Sequence, residues 1–586
     1  MRKSFIKKII LYFHTLRYLK WKQIVDYLFF KSKKYVFYKW YNLKISDLTS
    51  NDNPTEIALT KKPFIKRDHH LNSLSFHFLN QKVSFDNDIQ WNDSRYSKLL
   101  VYNLHYFDYL LMDFDDLSPE LFNGHTKIIR SWIINNSIGF GNGWEPYPLS
   151  LRIVNWIFYY SKNRMMFDND REFNQLYLTN LYQQCAYLSH FLEFHILANH
   201  LLKNGKALIF GGYFFKHRKW IQIGERILSR ELKEQILQDG GHFERSPMYH
   251  CIVLEDILDI VNLINRLNLT PLYLDTHRLK VIAQKMLKWL DTIIHPDLDI
   301  PLLGDSGLRA ALTYSQLGEY YQDIYHEQIN FKNELQPVAL NASGYFIFRS
   351  SDQFLLIDGG PLGVDYQPGH AHCDLLSYEY SYHAKRFIVD TGVGEYLNSE
   401  LRQKARSIQG HNTVIVNDLD QAEIWNTFRM GRRVKPMITE TFIDKNMSKF
   451  SSVYENNLSK KRAYSHRREV VLYENKFFHI ADHIKGKKIN SFTSQIQLHP
   501  DCNIEIEGFK IKISQSEHSI FILVSDKAYT VKVEDWFYTP EFGKIVPSLK
   551  LEIKPVSIEQ YLIEYLVVPS LYLESAHKFF TNRIVV

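Results

Sequence analysis

Apolar residues recur at spacings of three and four from about residue 98 to 335, the signature of helices that each bury one face. The pattern is clearest in Ile153-Val154-Asn155-Trp156-Ile157-Phe158-Tyr159, from Leu188 to Leu202, and from Ile252 to Leu267. Turn signals at Gly139 to Gly143, Gly211-Gly212, Gly240-Gly241 and Pro296 cut it into successive helix pairs. This predicts αα-hairpins arranged as an (α/α) toroid or solenoid. After Pro337 the period changes to two. Gly344 to Arg349, Phe354 to Asp358, Ser377 to Tyr380, Glu469 to Tyr473, Asn503 to Glu507, Ile520 to Val524 and Glu559 to Tyr565 read as short strands between turn residues, which predicts an antiparallel β-sandwich. The reading divides the chain into a basic helical arm (1–45), a connecting arm with a few short strands (46–95), a toroid domain (96–336) and a sandwich domain (337–586).

Composition narrows the class. A chain of 586 residues exceeds one simple core, and its 45% hydrophobic and 23% charged content is ordinary for a globular protein. Aromatics are high at 15%, but AT-rich coding enriches Phe, Tyr, Ile, Lys and Asn together and accounts for most of the excess. Cys185, Cys251, Cys373 and Cys502 have no CxxC spacing, so neither a disulfide framework nor a zinc ribbon is expected. The charge distribution matters more than its sum. Residues 1–40 hold eleven Lys/Arg and one acid, Asp26, an excess larger than the net +7 of the whole chain. Such an arm suits an anionic lipid surface or a polyanionic substrate, or packs as a solvated helix on the main body. Because the basic excess is confined to one end and no recognition motif appears, nucleic-acid binding is not expected. Phosphate-loop and dinucleotide fingerprints are absent, so no organic cofactor is expected. The run Ile9 to Phe13 is too short and too soon broken for a secretory signal, and no stretch reaches the roughly 18 apolar residues of a membrane span. Cytoplasmic or membrane-peripheral residence is favoured, with the periplasm or cell envelope as the alternative.

Candidate chemistry gathers in a few places. In an extended Gly369-His370-Ala371-His372-Cys373-Asp374, the side chains of His370, His372 and Asp374 would share one face. Asp390 follows the apolar run Phe387-Ile388-Val389, and His411 precedes Thr413-Val414-Ile415-Val416. Imidazoles and a carboxylate brought together by three strands make a metal or acid/base site. Asn199-His200 stands as a polar pair inside an apparently helical apolar run, where it must find partners or line a cavity. Gly240-Gly241 ends one helix and Ser246-Pro247 opens another, so Tyr249 is expected in that helix's first turn. Glu145 and Asp305 are further loop carboxylates. Taken singly, each residue has an ordinary explanation: a packing tyrosine, a helix asparagine bonded to backbone, a cap.

In combination, Asn199-His200, Arg245-Ser246-Pro247-Met248-Tyr249-His250, Gly369 to Asp374, Asp390-Thr391-Gly392 and Gly410-His411-Asn412 resemble the heparinase II/III-like polysaccharide lyases, relatives of the alginate lyases, over about residues 95–570. The resemblance implies a toroid followed by an antiparallel sandwich, and β-elimination on an acidic, uronate-containing polysaccharide. It implies Tyr249 as acid and in some cases also base, His200 or His370 as base, and Asn199 on the substrate carboxylate. Glu145, Glu244, Arg245 and Arg406 would bind substrate. His372, Asp390 and His411 match positions that hold one structural Zn2+ in some members. The lack of a clear leader and the basic arm depart from secreted members, and suit a role in bacterial surface-polysaccharide metabolism. A glycoside hydrolase on the same scaffold, using a carboxylate pair about 5–5.5 Å apart for retention or about 6.5–9.5 Å for inversion, and a non-catalytic polysaccharide-binding protein are the alternatives.

Overall fold

The structure is a computed structural model. It describes residues 2–36, 45, 54–59, 62–65, 69–70, 74–112, 117–329, 331, 336–444, 447–524, 528–557 and 561–584. Two basic helices, Arg2–Leu16 and Trp21–Val36, come first. A small antiparallel sheet follows (His69–His70, Ser75–Phe78, Gln81–Ser84). Its Phe76 and Phe78 pack on Tyr109 of the helical region.

Helices then run from Lys98 to Tyr325. Ser97, Ser118, Asp170, Asp275 and Thr313 each accept a backbone N–H at a helix start, which explains where several of these helices begin. Pro146–Lys162 packs against Ala198–Phe214, which packs against Arg218–Gln235. Pro247–Arg266 packs against Thr276–Ile293 and Tyr314–Tyr325. The antiparallel sheets follow, giving the expected order of a helical region and then a sheet domain.

A five-stranded sheet (Val338–Leu340, Tyr345–Arg349, Gln353–Asp358, Tyr378–Tyr382, Lys385–Ile388) joins the two halves. Alternation assigns its faces. Tyr345, Ile347, Phe354 and Leu356 belong to the helical core. Phe346, Phe348, Leu355 and Ile357 belong to a second core. That core is shared with an eight-stranded sheet that includes Tyr464–Tyr473, Phe477–Gly486 and Leu562–Pro569, and with a four-stranded sheet that includes Phe492–Gln497 and Lys544–Pro555. With both faces covered, these strands read as nearly continuous apolar runs. Loops at one end of the five-stranded sheet meet helix starts from the helical region, and the candidate residues gather there.

Two sequence expectations change. The run from Leu188 to Leu202 is not one helix. Arg171–His190 ends, a loop follows, and Ala198–Phe214 begins anew, so Asn199-His200 lies at a helix start. Leu197 (φ 67°) and Ala198 (φ 52°) take left-handed backbone there, a conformation that side chains beyond glycine disfavour. Residues 369–374 are likewise not a strand but a loop leading into Tyr378–Tyr382. His370 and His372 still converge, because a common carboxylate holds them rather than a pleat.

Candidate active site

That carboxylate is Asp305, in the loop after the helix Thr276–Ile293, and it is fully buried. Its loop is zipped to the histidine loop: Asp305 N donates to His370 O (2.9 Å) and Gly304 N to Asp374 Oδ2 (3.0 Å). His370 Nδ1 lies 2.8 Å from Oδ2 and His372 Nε2 2.8 Å from Oδ1. Arg402, from the short helix Glu400–Arg406, reaches both oxygens, with Nη2 2.8 Å from Oδ2. Burial alone would raise the Asp305 carboxyl, but Arg402 and the two imidazoles hold it well below the usual carboxylate range. An ionised carboxylate only accepts. His370 therefore donates from Nδ1, which in the neutral ring leaves the lone pair on Nε2. His372 donates from Nε2, and burial drives its pKa down to about 3, so it stays neutral with its lone pair on Nδ1.

Tyr249 stacks on His370, with ring centroids 3.8 Å apart. It stands in the first turn of Pro247–Arg266, as expected, where Ser246 Oγ accepts its backbone N–H. Its hydroxyl meets that of Tyr396 at 3.2 Å. Burial pushes the phenol well above the ordinary tyrosine range, so the ring carries its proton at neutral pH. On the far side of His370, Nε2 lies 3.7 Å from Glu244 Oε2. Glu244 Oε1 accepts from Asn199 Nδ2 (3.0 Å) and Asn199 N (3.4 Å), the latter made available by the left-handed entry to the helix. Burial raises the Glu244 carboxyl despite these donors and His370. Asn199 Oδ1 and Glu244 Oε2 are both buried without a hydrogen-bond partner. His200, next in sequence, donates from Nδ1 to Glu193 Oε1 (3.1 Å) and packs on Tyr147 at 4.5 Å. Burial lowers its pKa, but Glu193, with Glu244 and Glu145 behind it, raises it overall. Tyr147 lies within electrostatic reach of Tyr396 and Tyr249, which ties His200 to the same cluster.

Other expected binding residues are placed differently. Glu145, at the start of Pro146–Lys162, accepts from Lys98 Nζ (2.9 Å) and from the Tyr102 hydroxyl. Arg406 is fully buried and donates to the carbonyls of Thr427 (2.9 Å) and Ala371 (3.2 Å). Arg245 donates to those of Ser343 (2.9 Å) and Phe243 (3.0 Å). Both arginines knit loops together through backbone carbonyls.

The metal expectation meets a mixed arrangement. His411 Nδ1 is 2.6 Å from Asp390 Oδ2, and Asp390 Oδ1 accepts from Gly392 N (3.1 Å). Burial pushes Asp390 up to about 6. The rings of His372 and His411 are 5.3 Å apart, and His372 Nδ1 and His411 Nε2 are buried without partners. Two unpartnered imidazole nitrogens fit a zinc ion in kind. However, Asp390 is engaged behind His411, and among the described residues no three His, Cys, Asp or Glu side chains are grouped to hold a metal.

Sequence reasoning missed Arg402, Tyr396 and Glu193. Glu193 alone left a signal, as an acid seven residues before His200 in an apolar run.

Comparison with known proteins follows these halves. Residues 18–332 match the family model described as Heparinase II/III N-terminus, and residues 334–568 match Heparinase II/III-like, C-terminal. A heparin-sulfate lyase from Bacteroides stercoris is 27% identical over 330 residues, 51% of this chain and 46% of that protein. One from Pedobacter heparinus is 25% identical over 430 residues, 67% of this chain and 61% of that protein. The matched part thus spans about half to three fifths of these relatives' own length. A crystal structure of heparinase III shares the fold at TM-score 0.70 and 18% identity, over 94% of this chain and 91% of that one. The heparan sulfate lyase HepC of Pedobacter heparinus does so at 0.57 and 19%, over 91% and 87%. With family models covering both the helical half and the sheet half that together enclose Asp305, the chain belongs to the heparinase II/III-like family.

Proposed function

We propose that this protein is a carbon–oxygen lyase that cleaves an acidic, uronate-containing polysaccharide by β-elimination. The observation that carries the reading is the contact of a protonated phenol, Tyr249, with an imidazole, His370, whose tautomer is fixed by Asp305. In the proposed reaction a base takes the C5 proton, and the C–H electron pair becomes the C4–C5 double bond. The C4–O bond breaks, and the departing oxygen takes a proton from Tyr249. His370 Nε2 and the outer nitrogen of His200 are the two candidate bases, each with its inner nitrogen engaged by a carboxylate. Neutralising the uronate carboxylate makes C5 more acidic. Asn199 Nδ2, with a second hydrogen beyond the one it gives Glu244, and the Glu244 carboxyl, which burial biases toward its neutral, donating form and whose Oε2 is buried without a partner, supply the polar atoms for this. The relatives named heparin-sulfate lyase point to a glycosaminoglycan-type polymer as substrate.

A glycoside hydrolase is disfavoured by Asp305, one of the few carboxylates available for it. Both its oxygens already accept two donors each and it is held ionised, so it is suited neither to donate a proton nor to attack a sugar carbon. One structural zinc also belongs to this reading: the unpartnered nitrogens His372 Nδ1 and His411 Nε2 would contact it, with Asp390 orienting His411 from behind, and it would brace the loops beside the cleft. Metal analysis of the purified protein tests that part, with about one zinc per chain expected and none contradicting it.

The main test is a panel of heparan sulfate, heparin, chondroitin sulfate, hyaluronan and alginate. Ultraviolet absorbance would detect an unsaturated uronyl end, and mass spectrometry would show fragments summing to the parent with no added water. Products that have gained water, or no cleavage of any polymer, would sink the reading.

A further inference from the structure

The two N-terminal helices turn their apolar stripes outward. On Arg2–Leu16, Ile6, Ile9, Ile10, Phe13 and Leu16 follow the spacing of one helix face, and each is between 46% and 66% exposed. On Trp21–Val36, Trp21, Val25, Leu28 and Phe29 do the same, from 44% to 76% exposed. An amphipathic helix on a globular body normally buries that stripe. Here the opposite faces make the attachment, and they do so to both halves of the molecule. His14 Nδ1 meets Glu423 Oε2 at 2.8 Å, and Thr15 Oγ1 accepts from Trp425 Nε1 at 3.1 Å, both on the hairpin Ala422–Trp425/Arg429–Arg433. Gln23 Nε2 donates to Ile196 O and Tyr366 O, and Phe30 packs on His195 at 4.4 Å. These contacts flank the site. The hairpin turn carries Phe428, packed on His370, and the 194–196 segment leads into Asn199.

We propose that this helical pair seats the protein on an anionic phospholipid surface, lying in the headgroup plane beside the cleft. Charge identifies the occupant. The eleven Lys/Arg against one acid over residues 1–40 complement a negative leaflet, and Lys8, Arg17, Lys22 and Lys31 are exposed on the described helices. The exposed aliphatic side chains exclude the acidic polymer as the main occupant, because Ile, Leu and Val gain nothing from a hydrated polyanion but insert among acyl chains. Among the described residues no helix is long and apolar enough to cross a membrane, so the seat is in-plane.

Full-length protein should be floated with phosphatidylcholine vesicles, with and without phosphatidylglycerol. Partitioning should rise about tenfold or more with the anionic lipid and fall steeply with added salt. Phe13→Glu with Leu28→Glu should cut it about tenfold or more, as should Lys8→Glu with Lys31→Glu. Thermal melting should stay unchanged, because these side chains project from the body. Equal partitioning onto neutral and anionic vesicles, no partitioning, or wild-type binding by both double variants would overturn the proposal. So would a dimer in light scattering that the Phe13/Leu28 variant dissolves, because a second copy would then cover the stripe. Turnover of soluble polymer in the same samples reports separately on the lyase reading.

Discussion

Replacing Asp305 by Asn tests whether the hub at the centre of the site orients the chemistry or only supports the fold. The carboxylate accepts four donors on two oxygens: His370, His372 and two from Arg402. An amide keeps one acceptor oxygen and turns an NH2 group toward donors, so at least two charge-assisted hydrogen bonds are lost, each about 1.5–3 kcal/mol. Arg402, fully buried, is left without its counter-charge, and breaking a buried pair in this way costs about 3–5 kcal/mol. The variant should therefore melt several degrees lower. Its folded fraction should also lose turnover by about 10²–10⁴-fold, the usual contribution of a positioned proton-transfer group, because His370 no longer has a fixed tautomer. Circular dichroism melting and ultraviolet turnover at a temperature where the variant remains folded separate the two effects. Wild-type turnover per folded molecule would refute the orienting role of Asp305, whatever happens to stability.

Two further outcomes follow. His200 must be neutral to act as a base, and Glu193 raises its pKa, so the acid limb of the kcat profile should lie above the ordinary imidazole range. Glu193→Gln should move that limb to lower pH, and an unmoved limb would assign the base to His370. Gly344 has φ +90°, and a Cβ there would lie 2.2 Å from Gly360 Cα, so Gly344→Ala should lower stability by about 1–3 kcal/mol or more. Unchanged melting would show that this turn is free to move.

The change of period at Pro337 was legible because helix and strand impose different spacings on the same apolar residues. Tyr249 was legible because Ser246-Pro247 is a strong helix start. The histidine loop was misread as a strand because His-x-His has the strand period whatever holds it, and here a carboxylate 65 residues away does. Arg402 left no mark in the sequence. It sits on a seven-residue helix and its partner is 97 residues distant. Arg245 and Arg406 were ambiguous for the opposite reason. A guanidinium serves substrate anions and backbone carbonyls equally well, and only the path of the chain shows which it meets. The break before Asn199 was hidden because Leu197 and Ala198, both ordinary helix residues, adopt left-handed backbone there.

The central claim, that the Tyr249 phenol delivers the proton to the departing sugar oxygen, is tested most directly by Tyr249→Phe. The substitution preserves the ring on His370 and removes a hydroxyl whose hydrogen-bond partner is Tyr396 at 3.2 Å, so stability should change by only about 0.5–1.5 kcal/mol. Formation of the unsaturated uronyl product should fall by about 10²–10⁴-fold at unchanged melting temperature. A Tyr249→Phe protein that turns over at the wild-type rate would contradict the account.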